Sequence, residues 1–179
     1  MTYFGFLAIF IGPLLVFLAI DNWRMHHQPF PSRLSAFRPF SVVLAHILVA
    51  LIYTTPWDNY LVATGVWWYE PSLVTGLTLG WVPIEEYTFF IVQTLMTGLW
   101  LIWLARKIRP AKGEIASHPG LRWASTIILG MLWGLSVIIL AAGWQPGTYL
   151  ALILVWALPP IMLQTAFGAD ILWGYRRLV

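Results

Sequence analysis

The segment Trp81–Phe90 has the sequence WVPIEEYTFF and opens an apolar run that reaches Trp103. Two adjacent carboxylates, Glu85 and Glu86, therefore stand about one turn inside a segment apolar enough to cross a membrane. A charged side chain in a bilayer costs about 2.5–3.5 kcal/mol even on the most lenient scale, so an ionisable residue there indicates a functional site. First-turn glutamates that only complement the helix dipole are the alternative. We favour the functional interpretation because two acids stand side by side among aromatic residues.

The composition is that of an integral membrane protein. Hydrophobic residues make up 60% of the chain and charged residues 9%, with a mean hydropathy of +0.78, whereas a soluble domain has about 25% charged residues. The apolar runs are long and continuous, which favours helices over the alternating strands of a barrel. The chain has no cysteine, so disulfides, thiolate metal sites and cysteine nucleophiles are excluded.

We predict an all-α protein with five membrane-spanning helices. A bilayer is crossed by about 17–25 residues, and the second predicted span is short enough to borrow from the apolar stretch after it. No positive residue precedes the first span and no small-residue cleavage pattern follows it, so we expect a permanent helix and not a signal peptide. The predicted spans are Tyr3–Ile20, Phe40–Thr55, Val82–Ala105, Trp123–Ala142 and Thr148–Phe167.

All ten Lys and Arg residues lie in alternate connections. They are Arg24, Arg33 and Arg38 after span one, Arg106, Lys107, Arg109, Lys112 and Arg122 after span three, and Arg176 and Arg177 after span five. The connections Pro56–Trp81 and Gly143–Gly147 contain none. The positive-inside rule therefore predicts a multi-pass cell-membrane protein with its N-terminus outside and its C-terminus in the cytoplasm. This topology explains the net charge of +3, and no nucleic-acid partner is indicated.

The connection Pro56–Trp81 is aromatic, apolar and free of positive charge. An interfacial belt of Trp and Tyr explains part of this composition without any function. A soluble loop would be less apolar, so we expect the segment to lie in the interface, or dip back into the membrane, over the outer helix ends. Asp58 would then lie on the same side as Glu85 and Glu86. The roof over these acids would be aromatic, formed by Trp57, Trp67 and Trp68.

Motifs for common cofactors are absent from the sequence. We find no Gly-x-Gly-x-x-Gly after a strand, no phosphate loop and no His-Glu-x-x-His. We interpret the adjacent His26 and His27 as solvated side chains, with metal binding a poor alternative. We therefore expect no cofactor and no metal, so that any reaction would depend on acids, aromatic rings and shape.

A faint internal repeat links the two ends of the chain. Thr2-Tyr3 with Pro13 recurs as Thr148-Tyr149 with Pro159. We therefore predict residues 1–105 as a three-helix module with the Pro-x-Glu-Glu motif. Residues 106–179 would be a linking helix and the first helix of a second, incomplete module.

Four motifs together resemble the small integral-membrane lycopene β-cyclases, which occur as a two-subunit or fused cyclase domain and are unrelated to the flavoprotein cyclases. The resemblance covers nearly the whole chain. The family's fused form has two three-helix modules, each with a Pro-x-Glu-Glu-type motif, so the resemblance implies either that this sequence is truncated or that a second copy or a partner supplies the other module. The motifs are PIEE with FF in 83–90, YTTPWDNY in 53–60, GVWWY in 65–69, and LQ with FGAD in 163–170.

The resemblance implies an intramolecular lyase or isomerase that forms a β-ring at a ψ-end of lycopene or a related acyclic carotenoid. A proton adds to the terminal double bond, an internal double bond attacks the cation, and a proton leaves the ring. The implied catalytic residues are Glu85, Glu86 and Asp58. Two nearby carboxylates in an apolar site resist double ionisation, so one keeps a proton, although the sequence does not decide which glutamate. Rings that could bind substrate and stabilise the cation, with helix packing as the alternative, are Trp67, Trp68, Tyr87 and Phe90.

Two other classes of function stay open from the sequence alone. A proton-coupled carrier could use the two glutamates as its titrating site, although the apolar outer connection argues against a polar pathway. An assembly subunit of a two-part cyclase, whose partner holds the active acids, is the other possibility.

Overall fold

The computed structural model describes residues 1–27, 30, 37–107 and 117–176. Within these ranges, five helices are long and apolar enough to cross a membrane. A two-stranded antiparallel hairpin, β1 (Thr78–Leu79) with β2 (Val82–Pro83), precedes the third helix. The prediction of an all-α polytopic membrane protein is confirmed. The helices are α1 (Tyr3–Arg24), α2 (Pro39–Ala63), α3 (Ile84–Lys107), α4 (Pro119–Ala141) and α5 (Gln145–Gly174).

Helix α2 is longer than predicted. We predicted a short span that ends at Thr55 and borrows from the apolar stretch after it, and the helix does continue to Ala63 with Pro56 inside it. Proline removes one helical hydrogen bond, and membrane helices tolerate this because neighbouring groups and local adjustments satisfy the freed backbone. The first part of the predicted interfacial connection is therefore helical, and Asp58 lies on a spanning helix.

The hairpin takes the first two residues that we assigned to the third span. Val82 pairs with Leu79 and Pro83 with Thr78, and both Val82 and Pro83 are buried. Gly80, in the turn, has a positive φ of 68°, and a Cβ there would lie 2.1 Å from Asn59 Oδ1. The same Asn59 oxygen accepts the N–H of Trp81 at 2.7 Å. Both the positive φ and the close approach of Asn59 therefore require glycine at position 80. The Asn59–Trp81 hydrogen bond attaches the turn directly to α2.

Helix α1 begins with a capped turn. The Thr2 hydroxyl accepts the N–H of Gly5 at 3.2 Å, and the Tyr3 N–H donates to the carbonyl of Leu73 at 2.8 Å. A wider, π-helical turn follows at Leu7–Ile11. These bonds fix the first residues of the helix against the connection that leads to the hairpin.

The chain divides into two compact units, of which the first covers Met1–Pro110. Helices α1 and α2 both pack against α3. The approach of α2 to α3 is close, since a Cβ at Gly98 would lie 2.6 Å from Val43 Cγ2. Leu18 and Leu99 are buried in this unit. Small residues at such contacts are typical of helices that associate within membranes.

The second unit covers Ala111–Arg177 and contains the hairpin of α4 and α5. A Cβ at Gly147 would lie 2.4 Å from the Trp144 ring, so the turn between the helices is tightly packed. At the other end, Arg122 forms an ion pair with Asp170, which also accepts the His118 N–H at 2.8 Å. The interpretation of the two units as a cyclase module and the start of another stays a prediction.

Large apolar side chains cover the outer faces of the helices. Phe10 is 61% exposed, Leu48 58% and Phe167 82%. A water-soluble protein rarely exposes so much contiguous apolar surface, whereas a bilayer requires it. The chain is a multi-pass membrane protein. Of the basic residues that predicted its topology, Arg33, Arg109, Lys112 and Arg177 lie outside the described residues.

Candidate active site

The acidic residues Asp58, Glu85 and Glu86 lie at one end of the first unit. This is the end where α1 starts, α2 finishes and α3 starts, so it gathers side chains from three helices. The basic residues Arg106 and Lys107 belong to the last turn of α3, at the opposite end. The unit therefore has an acidic end and a basic end.

Glu86 lies among tyrosine hydroxyls. The Tyr3 hydroxyl donates to Glu86 Oε2 at 2.5 Å, which joins the start of α1 to the start of α3. Tyr69, in the connection between α2 and β1, places its hydroxyl near the same carboxylate. Burial, and then the negative charges of Glu86 and Asp58, raise the pKa of Tyr69 far above its ordinary value. Tyr69 therefore keeps its proton and remains a donor at physiological pH.

Asp58 is the electrostatic neighbour of Glu86. Its side chain comes from the last turns of α2 and is 3% exposed. Glu86 acts on it through charge. Its Oδ2 atom is buried and has no hydrogen-bond partner among the described residues. A buried polar atom without a partner is costly and uncommon, so this oxygen indicates a site where something else binds or reacts.

Glu85 is used differently from its neighbour. It is 1% exposed, and its Oε1 accepts the N–H of Thr75 at 2.6 Å. Adjacent residues on a helix point about 100° apart, so Glu85 contacts the connection before β1 while Glu86 contacts Tyr3 at the start of α1. The two glutamates, although neighbours in sequence, therefore lie in different surroundings. Asp58, the carboxyl whose charge interacts with that of Glu86, comes from another helix.

The aromatic candidates fall into two groups. Tyr87 holds the hairpin, because its hydroxyl donates to the Leu79 carbonyl at 2.9 Å and accepts the Asn59 side-chain N–H at 3.1 Å. Phe90 lies edge-on to Tyr87, with ring centroids 6.1 Å apart. Trp67 is partly buried, and its indole N–H has no partner within the described part of the chain, whereas Trp68 is 78% exposed. Substrate contact by these rings stays a prediction.

Two residues of this site, Tyr3 and Tyr69, were missed in the sequence. Tyrosines are common at membrane interfaces, so neither hydroxyl stood out from its surroundings. A usable signal was present for Tyr3, which belongs to the repeated Thr-Tyr pair, and for Tyr69, which ends the GVWWY motif. Within the described ranges, no group of three or more His, Cys, Asp or Glu could hold a metal ion.

Known proteins similar to this chain share one activity in their names. A lycopene beta-cyclase of Halobacterium salinarum is 40% identical over 183 aligned positions, covering 99% of this chain and 69% of that protein. A bifunctional lycopene cyclase/phytoene synthase of Aspergillus niger is 38% identical over 123 positions, covering 66% of this chain and 20% of that protein. The corresponding protein of Aspergillus oryzae is 33% identical over 168 positions, or 93% of this chain and 27% of that protein. No protein-family model and no solved structure matches the chain. The chain belongs to the lycopene beta-cyclase family.

Proposed function

We propose that this chain is a membrane lycopene cyclase of carotenoid biosynthesis, which closes a β-ring at a ψ-end of lycopene or a related acyclic carotenoid. The relative from Halobacterium salinarum, aligned over 99% of the chain, supports the activity. The observation that carries the mechanism is the buried Asp58 carboxyl, whose Oδ2 has no partner among the described residues, at the same end of the first unit as Glu86. We take Asp58 with Glu86, and not Glu85 with Glu86, as the reacting groups.

The reaction is a redox-neutral isomerisation that needs one proton donor and one proton acceptor. A proton adds to C2 of the terminal C1=C2 double bond and leaves a tertiary cation at C1. The C5=C6 double bond then attacks through C6, which forms the C1–C6 bond and moves the cation to C5. Loss of the proton from C6 forms the C5=C6 double bond of the β-ring. One proton enters and one leaves, so the formula is unchanged.

Two neighbouring carboxyls suit this pattern of proton transfer. In the new ring C2 and C6 are both bonded to C1, so the carbon that gains a proton and the carbon that loses one lie close together. Asp58 donates the proton, because its buried Oδ2 has no partner among the described residues and is free to present a proton to the double bond. Glu86 accepts the C6 proton, since its carboxylate is held by the Tyr3 hydroxyl. Transfer of that proton back to Asp58 resets the site.

The apolar surroundings stabilise the reaction in two ways. They exclude water that would capture the cation, and they strengthen the attraction between the cation and a nearby carboxylate. The faces of Trp67 and Phe90 would add about 0.5–2 kcal/mol each by cation–π contact. We assign Glu85 a structural role, because its Oε1 holds the connection before β1 through Thr75, although its Oε2, like Asp58 Oδ2, is buried without a partner among the described residues.

The test compares four conservative variants in lycopene-accumulating cells at matched membrane protein level. We expect Asp58→Asn and Glu86→Gln each to lower β-ring formation by at least about 10²-fold, since loss of a general acid or base typically costs 10²–10⁴-fold. Glu85→Gln should stay within about tenfold of wild type, because glutamine still accepts the Thr75 N–H. Glu70→Gln, at an exposed carboxyl of the same connection, is the control. Near-normal activity of either Asp58→Asn or Glu86→Gln contradicts the assignment.

We also propose that the protein lies in the cell membrane with its N-terminus outside and its C-terminus in the cytoplasm. The placement of Arg106 and Lys107 in the last turn of α3, away from the acidic residues of its first turn, supports this orientation. A topology reporter fused after Val179 should be active only in its cytoplasmic form. An extracytoplasmic signal would reverse the orientation.

The internal repeat supports a further proposal about partners. Tyr3 contacts a Pro-x-Glu-Glu helix, while its repeat counterpart Tyr149 is 56% exposed. We propose that α5 offers Tyr149 to an equivalent helix of a second copy or a partner cyclase module. Co-expression of such a module should raise conversion well above that of this chain alone. Full conversion by the chain as a monomer would disprove the need for it.

A further inference from the structure

We propose that Tyr3 and Tyr69 are positioning residues that hold the Glu86 carboxylate over one carbon of the ring and thereby decide which ring isomer forms. This inference rests on the proposed function, in which Glu86 is the proton acceptor. It goes beyond that function because it assigns the choice of product to two hydroxyls that need not touch the substrate.

The two hydroxyls approach Glu86 from separate parts of the first unit. Tyr3 opens α1 and is held at both ends, by its backbone N–H on the Leu73 carbonyl at 2.8 Å and by its hydroxyl on Glu86 Oε2 at 2.5 Å. Tyr69 comes from the connection after α2 and places a second hydroxyl near the same carboxylate. Donors on two sides fix the plane of a carboxylate as well as its position, since each hydrogen bond favours the lone-pair direction of the oxygen that accepts it.

The groups that face Glu86 explain why these donors matter. Asp58 on α2 is its carboxyl neighbour, and no Lys or Arg within the described ranges forms an ion pair with it. The tyrosine hydroxyls are therefore the groups that can orient an ionised Glu86. The raised pKa of Tyr69 keeps its hydroxyl protonated, so it does not become a competing charge.

The position of the base selects the product because three kinds of proton surround the C5 cation. Loss of the proton on C6 gives a β-ring, loss from C4 gives an ε-ring, and loss from the methyl group on C5 gives a γ-ring. All three carbons are bonded to C5, so each loss forms a double bond to C5 and balances the reaction equally well. A misplacement of about 1 Å can cost 10²-fold in a positioned reaction, so a loosened Glu86 would reach the wrong carbon part of the time.

A purely structural role is the competing explanation, in which Tyr3 only joins α1 to α3. Such a role predicts less protein in the membrane, with the remaining enzyme making β-rings alone. A positioning role predicts normal protein level, a lower kcat with little change in KM, and a mixture of ring types. Ring composition therefore separates the two explanations.

The experiment uses the full chain, with any partner module it needs, in vesicles loaded with lycopene. Tyr3→Phe and Tyr69→Phe each remove one hydroxyl and keep the ring, and Tyr60→Phe, at a half-exposed tyrosine of α2, is the matched control. We expect each site variant to lower kcat about tenfold with KM within about twofold, and to form ε- or γ-rings that the control does not form. If Tyr3→Phe fails to accumulate, Tyr69→Phe decides, because Tyr69 lies outside the helices.

Two results would be read separately. Exclusive β-ring formation by both tyrosine variants at normal kcat overturns the positioning role, while an inactive Glu86→Gln in the same assay leaves the proposed function intact. An active Glu86→Gln overturns the proposed function itself, whatever the tyrosine variants do.

Discussion

The two ends of the first unit treat their carboxyls in opposite ways. At the basic end, Asp21 Oδ2 accepts the indole N–H of Trp103 at 2.5 Å and lies 3.9 Å from Lys107 Nζ. Asn22 is buried and donates to the Leu18 and Leu99 carbonyls at 2.9 and 3.0 Å. Asp21 and Asn22 thus both have hydrogen-bond partners, as expected of side chains that hold α1 against α3.

The acidic end leaves its carboxyls less satisfied. Asp58 and Glu85 each bury one oxygen that has no hydrogen-bond partner among the described residues. In the same part of the chain, the carboxylates that form ion pairs are Asp21 and Asp170. Glu86 has only neutral donors. A membrane protein that buries carboxyls without cations accepts a cost in stability, and such a cost persists where the groups have a chemical task. We therefore interpret the basic end as a structural contact between helices and the acidic end as the reaction site.

The largest expected effect comes from removing both members of the acid pair. If Asp58 and Glu86 act as one unit, the double variant Asp58→Asn with Glu86→Gln should lose no more activity than the worse single variant, at least about 10²-fold. Groups that act in one step are not additive, since either loss already stops the step. The measurement is β-ring formation in vesicles at equal protein. A double variant whose loss is the product of the two single losses would show that the residues act independently.

A smaller effect is expected at Glu85, on stability more than on chemistry. Glu85→Leu removes the acceptor of the Thr75 N–H and should lower the free energy of unfolding by about 1–3 kcal/mol. Glu85→Gln should lower it by less, because an acceptor remains. Thermal unfolding in detergent micelles provides the comparison, with activity scaled to folded protein. Equal midpoints for the two variants would mean that the Thr75 bond contributes little.

At the basic end, Asn22→Leu should reduce stability without changing the chemistry. Hydrogen bonds between membrane helices contribute about 0.6–1.7 kcal/mol, and Asn22 makes one such bond from α1 to Leu99 on α3. We expect a loss of that size with kcat per folded molecule unchanged. Thr97→Val is the control, since the bond of Thr97 among the described residues stays within its own helix, to the Gln93 carbonyl. A fall in kcat for Asn22→Leu would break the distinction between the two ends.

The smallest effect is expected for Asp21→Asn. Its partner Lys107 is half exposed, with 47% of its side chain accessible, and exposed ion pairs contribute about 0–1 kcal/mol. Asparagine can still accept the Trp103 N–H, so the loss should stay below about 1 kcal/mol. Salt titration of the unfolding midpoint checks the charge contribution. A loss of stability as large as that of Glu85→Leu would show that Asp21 contributes more to stability than its partly exposed ion pair indicates.

Much of the structure of the first unit could be predicted from the sequence. Long apolar runs predicted the five spans, because a bilayer admits few alternatives to a continuous helix. The helix ends were less well predicted: the second span was expected to end near Thr55, yet α2 continues to Ala63. Val82 and Pro83 likewise belong to the hairpin before α3 and not to its first turn. Helix ends depend on what satisfies the last backbone groups, and those partners come from other segments.

The sequence predicted which residues form the candidate site better than it predicted which of them contact each other. The sequence alone determined that this chain crosses a membrane five times and places Asp58 near Glu85 and Glu86, because hydropathy and span length act along the chain. Only the tertiary structure decided that Glu86 accepts the Tyr3 hydroxyl while Glu85 accepts the Thr75 N–H. Neighbours on a helix point about 100° apart, so their surroundings are set by whichever elements pack on each side.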